Sequence, residues 1–151
     1  METETETREY YTYNEVREWS MAGEWSVCPD DRNFRVSIAP DARIEPSVLL
    51  GSGATVRADA VVESGATVMA VAMVGAGAVI GAGAVIGPWS FIGAGARVEA
   101  GAALEAVAVV EFDAVIGPGA VIGSGVIVGS GARVEDGAVI EAGATVKAEA
   151  G

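Results

Sequence analysis

The chain has 151 residues, a formal net charge of −12 and no histidine. This length fits one domain, and the acidity argues against a nucleic-acid partner or an anionic membrane surface. An acidic mimic of DNA is disfavoured because the acidic residues are scattered rather than arranged in two rows. The single cysteine, Cys28, excludes an internal disulfide and is expected to be a buried residue rather than a nucleophile.

The amino-terminal part predicts a small cap over residues 1–37. Residues 1–8 alternate threonine and glutamate, which predicts a frayed edge strand or a disordered tail. Residues 9–13 contain three tyrosines and favour a strand. Residues 24–28 and 34–38 predict a β-hairpin around a polar turn. The aromatic residues of this cap are expected to cover the first turn of the structure that follows.

A capping box predicts where the helix of the cap begins. Thr12 and Glu15 have the required spacing, and the helix is expected over residues 13–22 with Gly23 just after its end. The start of the chain is polar and charged, unlike a signal peptide. Glycine and charged residues interrupt every apolar run well before the roughly 20 residues of a transmembrane helix. The expected location is therefore cytoplasmic or virion-associated.

An unbroken six-residue frame covers residues 38–151. Its clearest stretch is VGAGAVIGAGAVIG at 74–87, and stepping in sixes from there gives 19 units without insertion or deletion. The first residue of every unit is Val, Ile or Leu, and the fifth is Ala in 16 of the 19 units; the exceptions are Val48, Ser90 and Val126. Such a period predicts a β-helix, in which three units close a coil of 18 residues.

This spacing resembles the hexapeptide-repeat family over residues 38–151. The family pattern is an aliphatic residue, a small or acidic residue, two free positions, a small residue and another free position. The resemblance implies a left-handed parallel β-helix, an exception to the usual right-handed crossover. The expected fold class is an all-β solenoid, with triangular 18-residue coils and a small N-terminal α+β cap. The family includes acyltransferases and gamma-class carbonic anhydrases, and its members are commonly homotrimers.

The frame also sorts the outward residues onto three sides of a prism. Side one holds the units that start at 38, 56, 74, 92, 110, 128 and 146; side two follows six residues later and side three twelve residues later. On side two, the residues that flank the first residue of a unit are often Arg or Glu, which is typical of a face exposed to solvent. The corner where side three meets side one, together with its two flanks, is apolar, and we call it the apolar corner. Its predicted interface residues are Leu49, Met69, Val71, Met73, Val85, Trp89, Phe91, Val107, Val109, Val121, Ile127 and Val139.

A patch of this size usually marks an interface. Burial of one corner and its two flanking sides is what a three-fold axis parallel to the prism produces, so the expected partner is the chain itself as a homotrimer, with a dimer as the main rival. The last coil has no cap beyond Lys147 and Glu149, so end-to-end stacking at this coil is a further expectation.

The residues that the family uses for chemistry are missing. Family acyltransferases use a histidine as general base, often beside an extruded loop, and the anhydrases hold zinc with three histidines. This chain has neither histidine nor extruded loop, so we predict no catalytic, cofactor-binding or metal-binding residues. The carboxylates Glu105 and Glu111 flank the apolar corner and are candidates for an intersubunit site, although solvated rim charges are the commoner explanation.

Three functions follow from these observations. The first is a non-catalytic, homotrimeric β-helix that acts as a structural or scaffolding module, such as a phage, surface or designed solenoid. The second is an acyltransferase-like hexapeptide enzyme with an intersubunit site that uses carboxylates. The third is a protein-binding module that uses the apolar corner for a different partner. The absence of histidine favours the first of the three.

Overall fold

The computed structural model describes residues 8–148, and most of them form a triangular prism of stacked coils. Successive strands turn from one side of the prism to the next, and each strand pairs in parallel with the strand 18 residues later. The parallel β-helix expected from the six-residue frame is confirmed. The Thr-Glu segment of the predicted tail lies outside the described residues, apart from Arg8.

Each side of the prism is one sheet. Side one contains β4 (Asp31–Ile38), β7 (Thr55–Val56), β10 (Met73–Val74), β13 (Phe91–Ile92), β16 (Val109–Val110), β19 (Ile127–Val128) and β22 (Thr145–Val146). Side two contains β5 (Arg43–Ile44), β8 (Val61–Val62), β11 (Val79–Ile80), β14 (Arg97–Val98), β17 (Val115–Ile116) and β20 (Arg133–Val134). Side three contains β6 (Leu49–Gly51), β9 (Thr67–Val68), β12 (Val85–Ile86), β15 (Ala103–Leu104), β18 (Val121–Ile122) and β21 (Val139–Ile140).

The first and fifth residues of the units fill the core. From Leu50 to Val134 every first residue is buried, and the alanines of the fifth position pack beside them. At the two ends of the prism the first residues are only partly buried, at Ile38 and Ile44 and again at Ile140 and Val146. Aliphatic side chains therefore form a continuous column, and only its ends lack a neighbour on one side.

The corners are tight turns with a left-handed residue at the fourth position of the unit. From Gly53 to Gly143 every such position has a positive φ, and most are glycine. The turn is usually closed by a hydrogen bond from the amide of the fifth residue to the carbonyl of the second, as in Ala84 to Gly81 at 3.1 Å. Glycine suits this position because it has no Cβ to meet the following carbonyl.

The cap covers the first coil, but its helix is shorter than expected. β1 (Tyr10–Thr12) pairs antiparallel with β6, and the predicted capping box begins α1 (Tyr13–Val16). Residues 20–22, expected to be helical, form β2 (Ser20–Ala22), which pairs with β3 (Trp25–Cys28). Gly23 lies in the turn of this hairpin rather than at the helix end. No helix within residues 8–148 has the length and hydropathy of a membrane span.

Tertiary pairing explains the correction. β3 pairs with β4, so the hairpin extends the sheet of side one by two strands and satisfies more backbone groups than a longer helix would. The early end of α1 also lets Trp19 turn inward, where its ring lies 5.0 Å from that of Tyr11 and 5.8 Å from that of Phe34, both edge-on. Cys28 is buried and free, in agreement with the sequence.

The buried phenol of Tyr11 gives the cap a pH-dependent stability. A side-chain hydrogen bond with Cys28, reinforced by burial, raises the pKa of Tyr11 to about 12. An unfolded tyrosine ionises near pH 10, so between about pH 10 and 12 the folded state holds more protons and its stability falls as the pH rises. We expect Tyr11→Phe to lose less stability than the wild type in that interval, measured by urea unfolding at pH 9, 10 and 11. Equal losses in the two proteins would contradict the assignment.

Candidate functional site

The apolar corner is an exposed apolar feature that extends over several coils of the prism. We call the left-handed fourth residue of each unit its tip. On three consecutive coils the tips of this corner are Val71, Trp89 and Val107, which are 38%, 65% and 55% exposed. The backbone stacks them directly, because the Trp89 amide donates to the Ala70 carbonyl and the Val107 amide to the Pro88 carbonyl, both at 3.0 Å. An apolar ridge therefore runs along the prism.

These three tips have an unfavourable backbone conformation. Their φ angles are 58°, 62° and 62°, in the left-handed region where the same corner has glycine before and after them, at Gly53 and Gly125. The other non-glycine residues with a positive φ within residues 8–148 are Asp59 and Asp113, and aspartate tolerates this region better than a β-branched or aromatic residue does. The side chains of Trp89 and Val107 are more than half exposed, so within the single subunit they largely face solvent. Strain of this kind is typical of functional surfaces.

Side one continues the ridge with a ladder of large apolar residues. Met73, Phe91, Val109 and Ile127 are direct neighbours on four consecutive strands. On side three, Met69 lies two residues before the tip residue Val71. Four further predicted residues, Leu49, Val85, Val121 and Val139, begin strands at the opposite edge of side three. All twelve predicted interface residues are partly or fully exposed, so the structure places them where an interface could use them.

The two candidate carboxylates are not brought together. Glu105 follows β15 directly before the apolar corner, and Glu111 follows β16 at the far edge of side one. Both are exposed, and Glu111 accepts a hydrogen bond from the Ser130 amide at 3.3 Å. One whole side of the prism separates them, so they cannot act as a pair within one subunit.

Sequence reasoning missed an exposed aromatic residue beside Glu111. Phe112 is 58% exposed at the corner between sides one and two, whose outward residues are mostly Gly, Ala, Ser, Pro and Asp. The following residue, Asp113, is the left-handed tip of this turn, with φ 61°. The sequence contains this information, because Phe112 is the only aromatic residue at the third position of any six-residue unit.

Charged groups outside these places are dispersed. Within residues 8–148 no three residues of the His, Cys, Asp and Glu types come together as a metal site would require. An ion pair lies in the cap, where the Arg8 guanidinium contacts the Glu15 carboxylate at 2.9 Å. This guanidinium and the Thr12 amide hold the pKa of Glu15 below its ordinary value. The ion pair belongs to the helix start and not to the apolar corner.

Comparison with known proteins relates part of this prism to a family of repeats. The family model "Bacterial transferase hexapeptide (six repeats)" matches residues 108–148. No curated protein sequence matches the chain. Among solved structures, the chain is similar to the acetyltransferase domain of PglB from Neisseria gonorrhoeae in complex with acetyl coenzyme A. The identity is 27% and the TM-score 0.64, with 70% of this chain and 54% of that chain covered.

A second similar structure is PerB from Caulobacter crescentus in complex with CoA and GDP-perosamine. Here the identity is 26% and the TM-score 0.69, with 74% of this chain and 54% of that chain covered. A variant of perosamine N-acetyltransferase from the same organism, with a histidine replaced by asparagine, was also solved with CoA and GDP-perosamine; it is 26% identical with a TM-score of 0.53, and 78% of this chain and 55% of that chain are covered. The chain thus spans about half the length of these structures.

These similarities overturn the prediction of a non-catalytic scaffolding module. The structures that the prism matches are acetyltransferases, and they hold CoA or acetyl-CoA. The prediction was wrong because it gave the missing histidine more weight than the frame itself. The prism is an unbroken stack of 18-residue coils, and its repeat and structure both match those of the transferases. Residues 108–148 of the chain therefore carry the hexapeptide repeat, and the prism is similar in fold to these acetyltransferase structures.

Proposed function

We propose that the chain is an acyltransferase-type protein that binds a coenzyme A thioester in a cleft between the subunits of a homotrimer. The observation that carries this proposal is the overlap with two acetyltransferase structures that hold acetyl-CoA or CoA, at TM-scores of 0.64 and 0.69. Because this chain covers 54% of each of those chains, the donor site is proposed from the shared prism and the acceptor is left open.

The apolar corner supports self-association. Val71, Trp89, Phe91, Val107, Ile127 and Val139 are each more than a third exposed, so an apolar surface is open for a partner. A three-fold axis along this corner would place side one of one copy against side three of the next. The ladder of Met73, Phe91, Val109 and Ile127 would then pack on the apolar residues of side three, and all three tips would meet at the axis.

This arrangement places the mouth of each cleft at the outer edge of side one. The residues there are Glu111, Phe112 and Asp113, whereas Glu105 would lie near the axis. An exposed aromatic ring next to a carboxylate is a suitable edge for a ligand with both apolar and polar parts. We therefore assign Phe112 to ligand contact and Glu111 to proton transfer.

The chemistry requires one proton acceptor. An acceptor amine attacks the thioester carbonyl, the new C–N bond forms, and the C–S bond breaks. The Glu111 carboxylate would take the proton that the amine loses and would then pass it to the leaving CoA thiolate, which departs as the thiol. Histidine is the usual base near neutral pH, and this chain has none. The histidine-to-asparagine variant of the perosamine enzyme is in complex with CoA, which supports ligand binding by a prism without that side chain.

Titration with acetyl-CoA tests the donor site. We expect one site per subunit by isothermal calorimetry, with Phe112→Ala weakening the affinity about tenfold because stacking and apolar contact are lost. Glu111→Gln should bind acetyl-CoA as the wild type does and reduce thiol release about 100-fold, with glucosamine as the amine probe. Glu63→Gln, on the solvated side two, is the matched control. Absence of binding heat in the wild type would reject the proposal.

A further inference from the structure

One turn of the prism lacks the hydrogen bond that closes the others. Between residues 39 and 144, seventeen of eighteen turns have a direct bond from the fifth amide to the second carbonyl. The exception is the turn of residues 105–108, where Ala108 does not donate to Glu105. This turn carries Val107, the third tip of the apolar corner.

The hydroxyl of Ser90, from the preceding coil, occupies the place of the missing bond. Its Oγ donates to the Glu105 carbonyl at 3.0 Å and accepts from the Ala108 amide at 3.2 Å. Ser90 is 1% exposed and is the only buried residue with a polar or charged side chain in the prism, residues 38–148. The fifth position that it occupies is alanine in most units, so this hydroxyl is a departure from the frame.

The turn is therefore held from two sides. Besides the two hydrogen bonds of Ser90, the backbone of Gly87 approaches so closely that a Cβ there would lie 2.5 Å from the carbonyl carbon of Glu105. The inserted hydroxyl bridges the two ends of the turn that carries Ala106 and Val107. An ordinary alanine at this place would let the ends bond directly, as they do in the neighbouring coils.

Val107 gains nothing from this support within one subunit. It is 55% exposed, and its φ of 62° is unfavourable for a β-branched residue. A buried polar side chain that supports a strained, exposed apolar residue makes sense if that residue contacts something outside the subunit. The neighbouring tips Val71 and Trp89 share the same conformation, so the contact extends along the ridge.

We infer that Ser90 is a positioning residue for self-association, acting through Val107 on a second copy of this chain. Its hydroxyl sets the shape of the 105–108 turn so that Val107 meets the equivalent tips of the other subunits. The inference rests on the homotrimer of the proposed function. It adds that the one buried hydroxyl of the prism is required for the shape of the interface and not for the stability of the subunit.

Ser90→Ala isolates this role, because alanine is the residue that the frame uses at the fifth position. We expect its melting temperature to stay within about 4 °C of the wild type, since the turn can close with its ordinary hydrogen bond. We also expect the association constant to fall about tenfold, measured by sedimentation equilibrium without any acetyl-CoA. Amide hydrogen exchange at Ala108 should change, because its acceptor changes from a hydroxyl to a carbonyl.

A double-mutant cycle with Val107→Gly separates positioning from a general structural effect. If Ser90 acts through Val107, the double variant should associate as weakly as Val107→Gly alone. Ala102→Ser, which introduces the same hydroxyl at the fifth position of another corner, is the control and should associate normally. Fully additive losses in the cycle would overturn the inference.

The remaining outcomes also decide between the two proposals. Normal association of Ser90→Ala would overturn the positioning role while leaving acetyl-CoA binding to be judged by calorimetry. A wild type that is monomeric at all concentrations would reject the homotrimer and this inference together. A wild type that associates through Ser90 and Val107 but gives no heat with acetyl-CoA would support the inference and reject only the proposed activity.

Discussion

Trp89→Glu is expected to dissociate the homotrimer. The side chain is 65% exposed at the middle tip of the apolar corner, so the substitution should leave the subunit folded. In the proposed assembly it would bring three carboxylates together at the axis, and like charges held close to each other cost several kcal/mol. We therefore expect association to weaken at least 100-fold. Light scattering behind size exclusion should change from three times 15.2 kDa to a single 15.2 kDa subunit.

Met21→Glu provides the matched control for this experiment. Met21 is 61% exposed, nearly as much as Trp89, but it lies on β2 of the cap hairpin, away from the ridge. The control should keep the mass of the wild type. A wild type that is already monomeric, or a Trp89→Glu variant that stays trimeric, would contradict the corner as the axis. Masses above the trimer that grow with concentration would instead support end-to-end stacking at the last coil, which stays a prediction.

Gly81→Ala is expected to destabilise the prism more than any surface substitution. A Cβ at Gly81 would lie 2.5 Å from the Ala100 amide nitrogen and 2.8 Å from the Glu99 carbonyl carbon, both in the backbone of the next coil. Neither atom can move without disturbing the hydrogen bonds between coils, such as that from Gly81 to Val98 at 2.6 Å. We expect a loss of about 3 kcal/mol, measured by urea unfolding at matched protein concentration.

Gly83→Ala in the same turn is the comparison that identifies the cause. Gly83 has a φ of 71°, but a Cβ there would meet nothing within 4 Å. Its substitution should therefore cost only the strain of a left-handed alanine, about 1 kcal/mol. If the two variants were equally stable, coil-to-coil contact at the second position of the unit would not limit which residues the frame accepts.

Several features of the fold were accessible from the sequence because they depend on a local, repeated pattern. The aliphatic first residue and the small fifth residue alternate with a fixed period, so every unit predicts the same strand and corner. For that reason the core residues, the 18-residue spacing and the outward ladder from Met73 to Ile127 could be read without coordinates. The capping box was predictable for the same reason, since its two hydrogen bonds join residues three apart.

β3 and β4 pair where the sequence predicts a hairpin, whereas β2 was not predictable in this way. The segment 20–22 has no strong local preference, and it becomes a strand because β3 offers a partner edge. Phe112 was recognisable from the sequence, as an aromatic residue at the third position of its unit, but it lies outside the apolar corner and was not predicted. The function was misjudged on a single absent residue type, and similarity of the whole prism to CoA-bound acetyltransferases corrected it.

The sequence by itself determined the repeat, the buried column and the apolar corner, since each follows from which residue type recurs at which position. Only the tertiary structure decided the state of the individual turns. The hydroxyl of Ser90 meets Glu105 and Ala108 from 15 and 18 residues away, and no local pattern marks the one turn that it opens. Coils that stack in register bring distant backbone groups within hydrogen-bond distance. A single departure from alanine therefore acts on the neighbouring coil rather than on its own.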